Sequence, residues 1–194
     1  VFFAGLGMYT LAKQLKLNTG SGLLMALSYV FSGFTIGNAE HAMFMVAVAW
    51  LPFVLSSFLQ MLEKPTLLPA IKTGFFLYLL ITGGYIIFTI VASYFFMVVL
   101  VYRFAYLGFS KQKTEMLTLA KTTLLMAVVA IVLSLPFVVS LYQLLPHFTR
   151  ANALTLDLVM QNPFTFRSFI SFLFPFAAIA EPAYWNTDIS MTNI

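Results

Sequence analysis

The chain has 194 residues, of which 61% are hydrophobic and only 8% are charged. A soluble globular domain carries roughly 25% charged residues, so this composition excludes an ordinary soluble domain. The formal net charge is +4, but the basic residues are dispersed over the sequence and form no patch, which argues against a nucleic-acid-binding protein. There is no Cys, so disulfides, thiolate catalysis and cysteine metal sites are excluded.

The charged residues lie between long uncharged runs. These runs are residues 21–39, 42–62, 73–102 and 122–149. The hydrocarbon layer of a bilayer is ~30 Å thick, and a helix needs about 20 residues to cross it. We therefore predict an all-α fold, a polytopic transmembrane bundle of about six membrane helices. The predicted spans are about residues 1–12, 21–38, 42–62, 66–83, 85–106 and 121–144.

Local sequence marks the ends of several spans. Ser21 is a candidate helix cap, and Gly37-Asn38 is a helix-stop signal. Pro52 lies inside the third span, where it predicts a kink. The sequence begins in the middle of a hydrophobic stretch without a charged leader, so we expect an internal fragment of a larger membrane protein.

The uncharged run 73–102 allows two interpretations. It is either one long tilted helix or a hairpin that turns at Gly83-Gly84. In the hairpin, every Lys and Arg as far as Lys121 lies on one side of the membrane. Because Lys and Arg concentrate in cytoplasmic loops, this bias favours the hairpin and predicts a bacterial cytoplasmic (inner) membrane protein with its Lys-rich loops in the cytoplasm. The charged residues on the other side are then Glu40, Arg150, Asp157, Arg167, Glu181 and Asp188.

Residues 145–194 contain no clean span and are predicted to form an irregular outer-face segment. Their apolar and aromatic stretch near 163–177 is interrupted by Arg167. That pattern is typical of an interfacial or re-entrant helix at the level of the lipid headgroups.

The predicted outer face holds the candidate functional residues. Glu40 and His41 can transfer protons or bind a phosphate or a sugar hydroxyl, although a solvated turn would look the same. Arg150 and Arg167 carry planar guanidinium groups that fit phosphate oxygens, with solvated loop charges as the alternative. We predict these four as substrate-binding residues and assign no catalytic residue. No cofactor is identified; a divalent metal is compatible with the sequence, although no motif supports one.

The order of several short motifs resembles the YfhO-like bacterial membrane proteins, which belong to the GT-C class of glycosyltransferases. The matching motifs cover most of the chain. They are Gly22 to Phe34 ending in Ser32-Gly33, His41 followed by Ala49-Trp50-Leu51-Pro52, Gly83-Gly84, Gln143-Leu144-Leu145-Pro146, and Thr187-Asp188-Ile189-Ser190-Met191.

The resemblance implies an enzyme that takes a sugar from a polyprenyl-phosphate donor on the outer face of the membrane. The acceptor would be a cell-envelope polymer, a lipid or a protein. GT-C enzymes usually carry a key acidic residue in their first large outer loop, which would precede Val1, so no residue here is assigned that role. Family members often have a His-Pro-Gln-like sequence after the glycine of the reversal, whereas here Gly84 is followed by Tyr85-Ile86-Ile87.

Two other functions are compatible with the same sequence. One is a transporter or flippase for a lipid-linked substrate, and the other is a noncatalytic membrane assembly subunit. The hairpin interpretation places no acidic residue at the membrane midplane, where ion-coupled transporters commonly have ionisable groups. Membrane lipid is a predicted partner under all three interpretations, and nucleic acid is not.

Overall fold

A computed structural model describes residues 1–83 and 85–147 of the protein. Within them the chain is 87% helical and contains no strand, which confirms the all-α membrane bundle. Helices α1 to α6, and α7 as far as Gln143, form one compact unit. The elements are α1 (Phe2–Gln14), α2 (Thr19–Val30), α3 (Gly33–Gly37), α4 (Ala42–Glu63), α5 (Leu67–Thr82), α6 (Ile86–Phe109), α7 (Lys113–Leu144) and a short 3-10 helix (Leu145–His147).

Four segments of the described chain are long and apolar enough to cross a membrane. They are Thr19–Gly37, Ala42–Glu63, Ile86–Phe109 and Lys113–His147. The two remaining predicted spans coincide with shorter helices, since α1 has 13 residues and α5 has 16. The predicted outer-face segment with its helix near 163–177 lies outside the described residues.

The predicted span 21–38 coincides with the apolar segment Thr19–Gly37, but this segment is not the one continuous helix that was predicted. Helix α2 ends at Val30 and α3 begins at Gly33. Ser32 caps α3, because its hydroxyl accepts a hydrogen bond of 3.3 Å from the backbone N–H of Thr35. The Thr35 hydroxyl in turn donates to the carbonyl of Tyr29 at 3.0 Å. These side-chain bonds satisfy backbone groups that a continuous helix would have paired itself.

The run 73–102 is divided between two helices, so the single long helix is excluded. Helix α5 ends at Thr82 and α6 begins at Ile86.

The last helix was predicted to begin near residue 121, but α7 begins at Lys113. A helix can continue through charged residues after it leaves the hydrocarbon layer. The boundary of the uncharged run therefore lies inside α7 and not at its first residue. Pro52 is buried inside α4, which remains a single helix through it.

Helix α4 is the centre of the bundle, and α1 and α5 both pack against it. Its buried face includes Phe58 and Met61, both 0% exposed. Phe58 stacks on Phe96 of α6 with ring centroids 4.0 Å apart. Phe96 and Met126 of α7 belong to the same buried cluster, so α4, α5, α6 and α7 share one core.

Asn18, rather than the predicted Ser21, caps α2. The side-chain oxygen of Asn18 accepts a hydrogen bond of 2.8 Å from the backbone N–H of Ser21. We expect Asn18→Ala to lower the free energy of unfolding by about 1 kcal/mol, because that N–H loses its partner. Ser21→Ala keeps the backbone donor and is expected to change little. Thermal unfolding of both variants in mild detergent tests this, and a larger loss for Ser21→Ala would contradict it.

Candidate functional site at the Glu40–His41 turn

Glu40 and His41 lie in the turn between α3 and α4, as predicted for a polar connection. Asn38 follows α3, and its side-chain amide donates to the carbonyl of Phe34 at 2.9 Å. The backbone N–H of His41 donates to the carbonyl of Asn38 at 3.0 Å. His41 then caps α4 with an extended backbone, and its own carbonyl accepts the first helical bonds. These backbone contacts fix the turn.

The two side chains of the turn are close to each other. His41 Nε2 lies 3.6 Å from Glu40 Oε1. Glu40 is 64% exposed and His41 is 36% exposed, so both groups can be reached from outside the bundle. A carboxylate beside an imidazole is an arrangement suited to proton transfer or to binding a hydroxyl, and the imidazole N–H can also bind an anion.

An aromatic cluster formed by Phe34, Phe44, Tyr85 and Phe88 lies beside this pair. The His41 ring is 5.5 Å from the Phe44 ring, and Phe44 is 4.2 Å from Tyr85. Phe88 is 5.6 Å from Tyr85 and 5.7 Å from Phe34. Helices α3, α4 and α6 and the α5–α6 turn therefore meet at the Glu40–His41 pair. Sequence reasoning missed this cluster, although the hairpin puts both turns on the same side.

Gly83 allows the α5–α6 turn to lie close to α4. A Cβ atom at Gly83 would be 2.9 Å from Cγ1 of Val46, closer than real Cβ atoms approach a neighbour. A larger residue would push the turn, and Tyr85 with it, away from α4. The glycine is thus explained by packing, and the neighbouring Gly84 lies outside the described residues.

The opposite end of α4 is joined to other helix ends by polar residues. The side-chain amide of Gln14, at the end of α1, donates to Glu63 at 2.9 Å. Glu63, Arg103 of α6 and Glu115 of α7 line one cavity of about 270 Å³. We call this the Glu63 end and the opposite one the Glu40 end. The basic residues at the Glu63 end include Lys13, Lys16, Lys64, Arg103, Lys111 and Lys113.

The structure brings together two of the four predicted site residues. Arg150 and Arg167 lie outside the described residues, as do Asp157, Glu181 and Asp188. Residues 1–83 and 85–147 contain no group of three His, Cys, Asp or Glu side chains arranged to hold a metal. The described part of the site therefore consists of a carboxylate–imidazole pair and an adjacent aromatic surface.

Length, composition and packing of the helices define an integral membrane protein of the helical-bundle class. No family model matches the sequence, and no curated protein or solved structure is significantly similar to it.

Proposed function

We propose that the chain is part of a GT-C-like membrane glycosyltransferase that moves a sugar from a polyprenyl-phosphate donor to a cell-envelope acceptor. The observation that carries the proposal is the aromatic cluster beside the Glu40–His41 pair at one end of the bundle. An amphiphilic donor needs an apolar surface for its first isoprene units and polar groups for its phosphate and sugar. The aromatic cluster provides the apolar surface, and the adjacent Glu40–His41 pair provides the polar groups.

The charge distribution supports an outer location for this site. Most Lys and Arg residues of the described chain lie at the Glu63 end. The turn at the opposite end carries a carboxylate, that of Glu40, and no Lys or Arg. Under the positive-inside rule, the Glu63 end faces the cytoplasm of a bacterial inner membrane. Glu40 and His41 would then face the outer leaflet, where the proposed donor and acceptor meet.

In this proposal Glu40 and His41 bind the donor rather than break its glycosidic bond. An imidazole N–H of His41, which lies beside Glu40, donates a hydrogen bond to a phosphate oxygen. The aromatic cluster packs against the sugar face or the prenyl chain. Arg150 and Arg167 stay separate predicted phosphate-binding residues, because their guanidinium groups fit phosphate oxygens. The carboxylate that acts as the base is expected outside this chain.

Sugar transfer by the purified full-length parent tests the proposal. His41→Ala is expected to lower kcat/KM about tenfold, chiefly through a higher KM for donor, because a hydrogen bond to a charged group is lost. Glu40→Gln removes the carboxylate beside His41 and is expected to lower kcat/KM in the same way but by less. Glu63→Gln, at the opposite end of α4, serves as the matched control and should transfer sugar normally. The readout is the passage of radiolabel from a polyprenyl-phosphate sugar to membrane acceptors.

Two results would overturn the proposal. One is unchanged transfer after Glu40, His41, Arg150 and Arg167 are all replaced by Ala. The other is donor binding without transfer, accompanied by movement of the labelled lipid between leaflets, which would establish a flippase.

A further inference from the structure

A groove lies on α4 between α1 and α5, near the Glu63 end and away from the Glu40–His41 site. It encloses a cavity of about 470 Å³. Its polar lining residues come from three helices, with Thr10 on α1, Ser56, Ser57 and Gln60 on α4, and Lys72 on α5. The apolar lining consists of Phe53, Ile71, Phe75 and Phe76. We call this cavity the α1–α5 groove.

The polar and aromatic groups of the groove occupy different depths. From the 1.5 Å rise per residue, Gln60 lies about 5 Å below the end of α4, and Lys72 lies about 8 Å below the start of α5. Phe53 and Phe76 lie about 14 Å below the same ends. They stack on each other with centroids 5.0 Å apart. The groove is therefore polar near the Glu63 end of the bundle and aromatic farther from that end.

Three of the five polar lining residues have side chains without a hydrogen-bond partner in the described part of the chain. The hydroxyls of Thr10 and Ser57 donate hydrogen bonds to backbone carbonyls of their own helices. By contrast, Ser56, Gln60 and Lys72 make no side-chain hydrogen bond within residues 1–83 and 85–147. The lining contains one lysine and no carboxylate, so the charge of Lys72 is not neutralised by another lining residue.

We propose that the α1–α5 groove binds the phosphate headgroup and first chain segment of an anionic phospholipid. Lys72 pairs with the phosphate, Gln60 and Ser56 donate hydrogen bonds to it, and the lipid chain packs against Phe53 and Phe76. The exposed rim residues Ile71 and Phe75, 44% and 43% exposed, let a lipid enter sideways from the bilayer. This site is independent of the proposed glycosyltransferase activity.

Photocrosslinking in membranes tests the proposal. The full-length protein is reconstituted in phosphatidylcholine vesicles that contain a photoactivatable phosphatidic acid, and labelled peptides are mapped by mass spectrometry. We expect labelling of α4 and α5 peptides that line the groove. Lys72→Gln should reduce this labelling about tenfold, because it removes a hydrogen bond to a charged group. Gln60→Leu, which keeps the side-chain volume, should reduce it severalfold.

Lys64→Gln is the matched control, since Lys64 is exposed at the same end of the bundle but does not line the groove. It should label like the wild type. If Lys64→Gln and Lys72→Gln reduced labelling equally, the lipid would be attracted by surface charge in general, and the proposal would be overturned. Equal labelling by a photoactivatable phosphatidylcholine, or loss of labelling on adding inorganic phosphate, would also overturn it, the latter in favour of a free phosphate site.

Discussion

Phe58→Ala is expected to lower the free energy of unfolding by about 3 kcal/mol or more. Phe58 is 0% exposed and stacks on Phe96 of α6 at a centroid distance of 4.0 Å. Helices in a bilayer gain little from hydrophobic transfer, so this loss comes from missing dispersion contacts and from the cavity that remains between α4 and α6. Reversible unfolding by a denaturing detergent measures the difference.

Phe109→Ala is the matched control, because Phe109 ends α6 and is 89% exposed. It should stay within about 0.5 kcal/mol of the wild type. Equal losses for the two variants would show that the core does not lie between α4 and α6.

Gly74→Ala is expected to destabilise the bundle by about 2 kcal/mol, although it adds a single methyl group. A Cβ atom at Gly74 would lie 2.6 Å from the backbone carbonyl oxygen of Met126 and 2.8 Å from Cβ of Val129. The obstacle is the backbone of α7, which cannot move aside as a side-chain tip can. Helices α5 and α7 would have to separate, and the packing on both sides of α5 would loosen.

Gly108→Ala, in α6, makes the same change where nothing lies within 4 Å of the added atom. Because Ala favours a helix over Gly by up to about 1 kcal/mol, this variant should be as stable as the wild type or slightly more so. Thermal unfolding in mild detergent compares the two variants. If both variants were less stable than the wild type, glycine at these positions would be needed for a reason other than close packing.

The helix bundle was predictable from the sequence because lipid imposes a simple rule. Every backbone polar group in the hydrocarbon layer needs a partner within the protein, so uncharged runs of sufficient length become helices. The breaks were harder to predict. The hydroxyls of Ser32 and Thr35 interrupt an apolar run, yet their effect depends on bonds to particular backbone groups. Hydropathy does not contain that information.

The candidate site was predictable only in part. Glu40 and His41 stand out as polar residues between apolar runs, and the structure places them side by side. The neighbouring aromatic cluster comes from helices far apart in sequence, and a single sequence does not show which of its 22 Phe and 9 Tyr residues meet. Arg150 and Arg167 remain predictions, since they lie outside the described residues.

Helix α7 is longer than the membrane is thick. Its 32 residues correspond to about 48 Å, against a hydrocarbon thickness of ~30 Å. The part after Lys121 is uncharged and long enough to span, so we expect the charged first turns, Lys113 to Lys121, to lie beyond the hydrocarbon layer, where Glu115 lines the same cavity as Glu63. Residues 110–112 connect α6 to the start of α7. An epitope tag inserted in this connection would report which side of the membrane the loop faces.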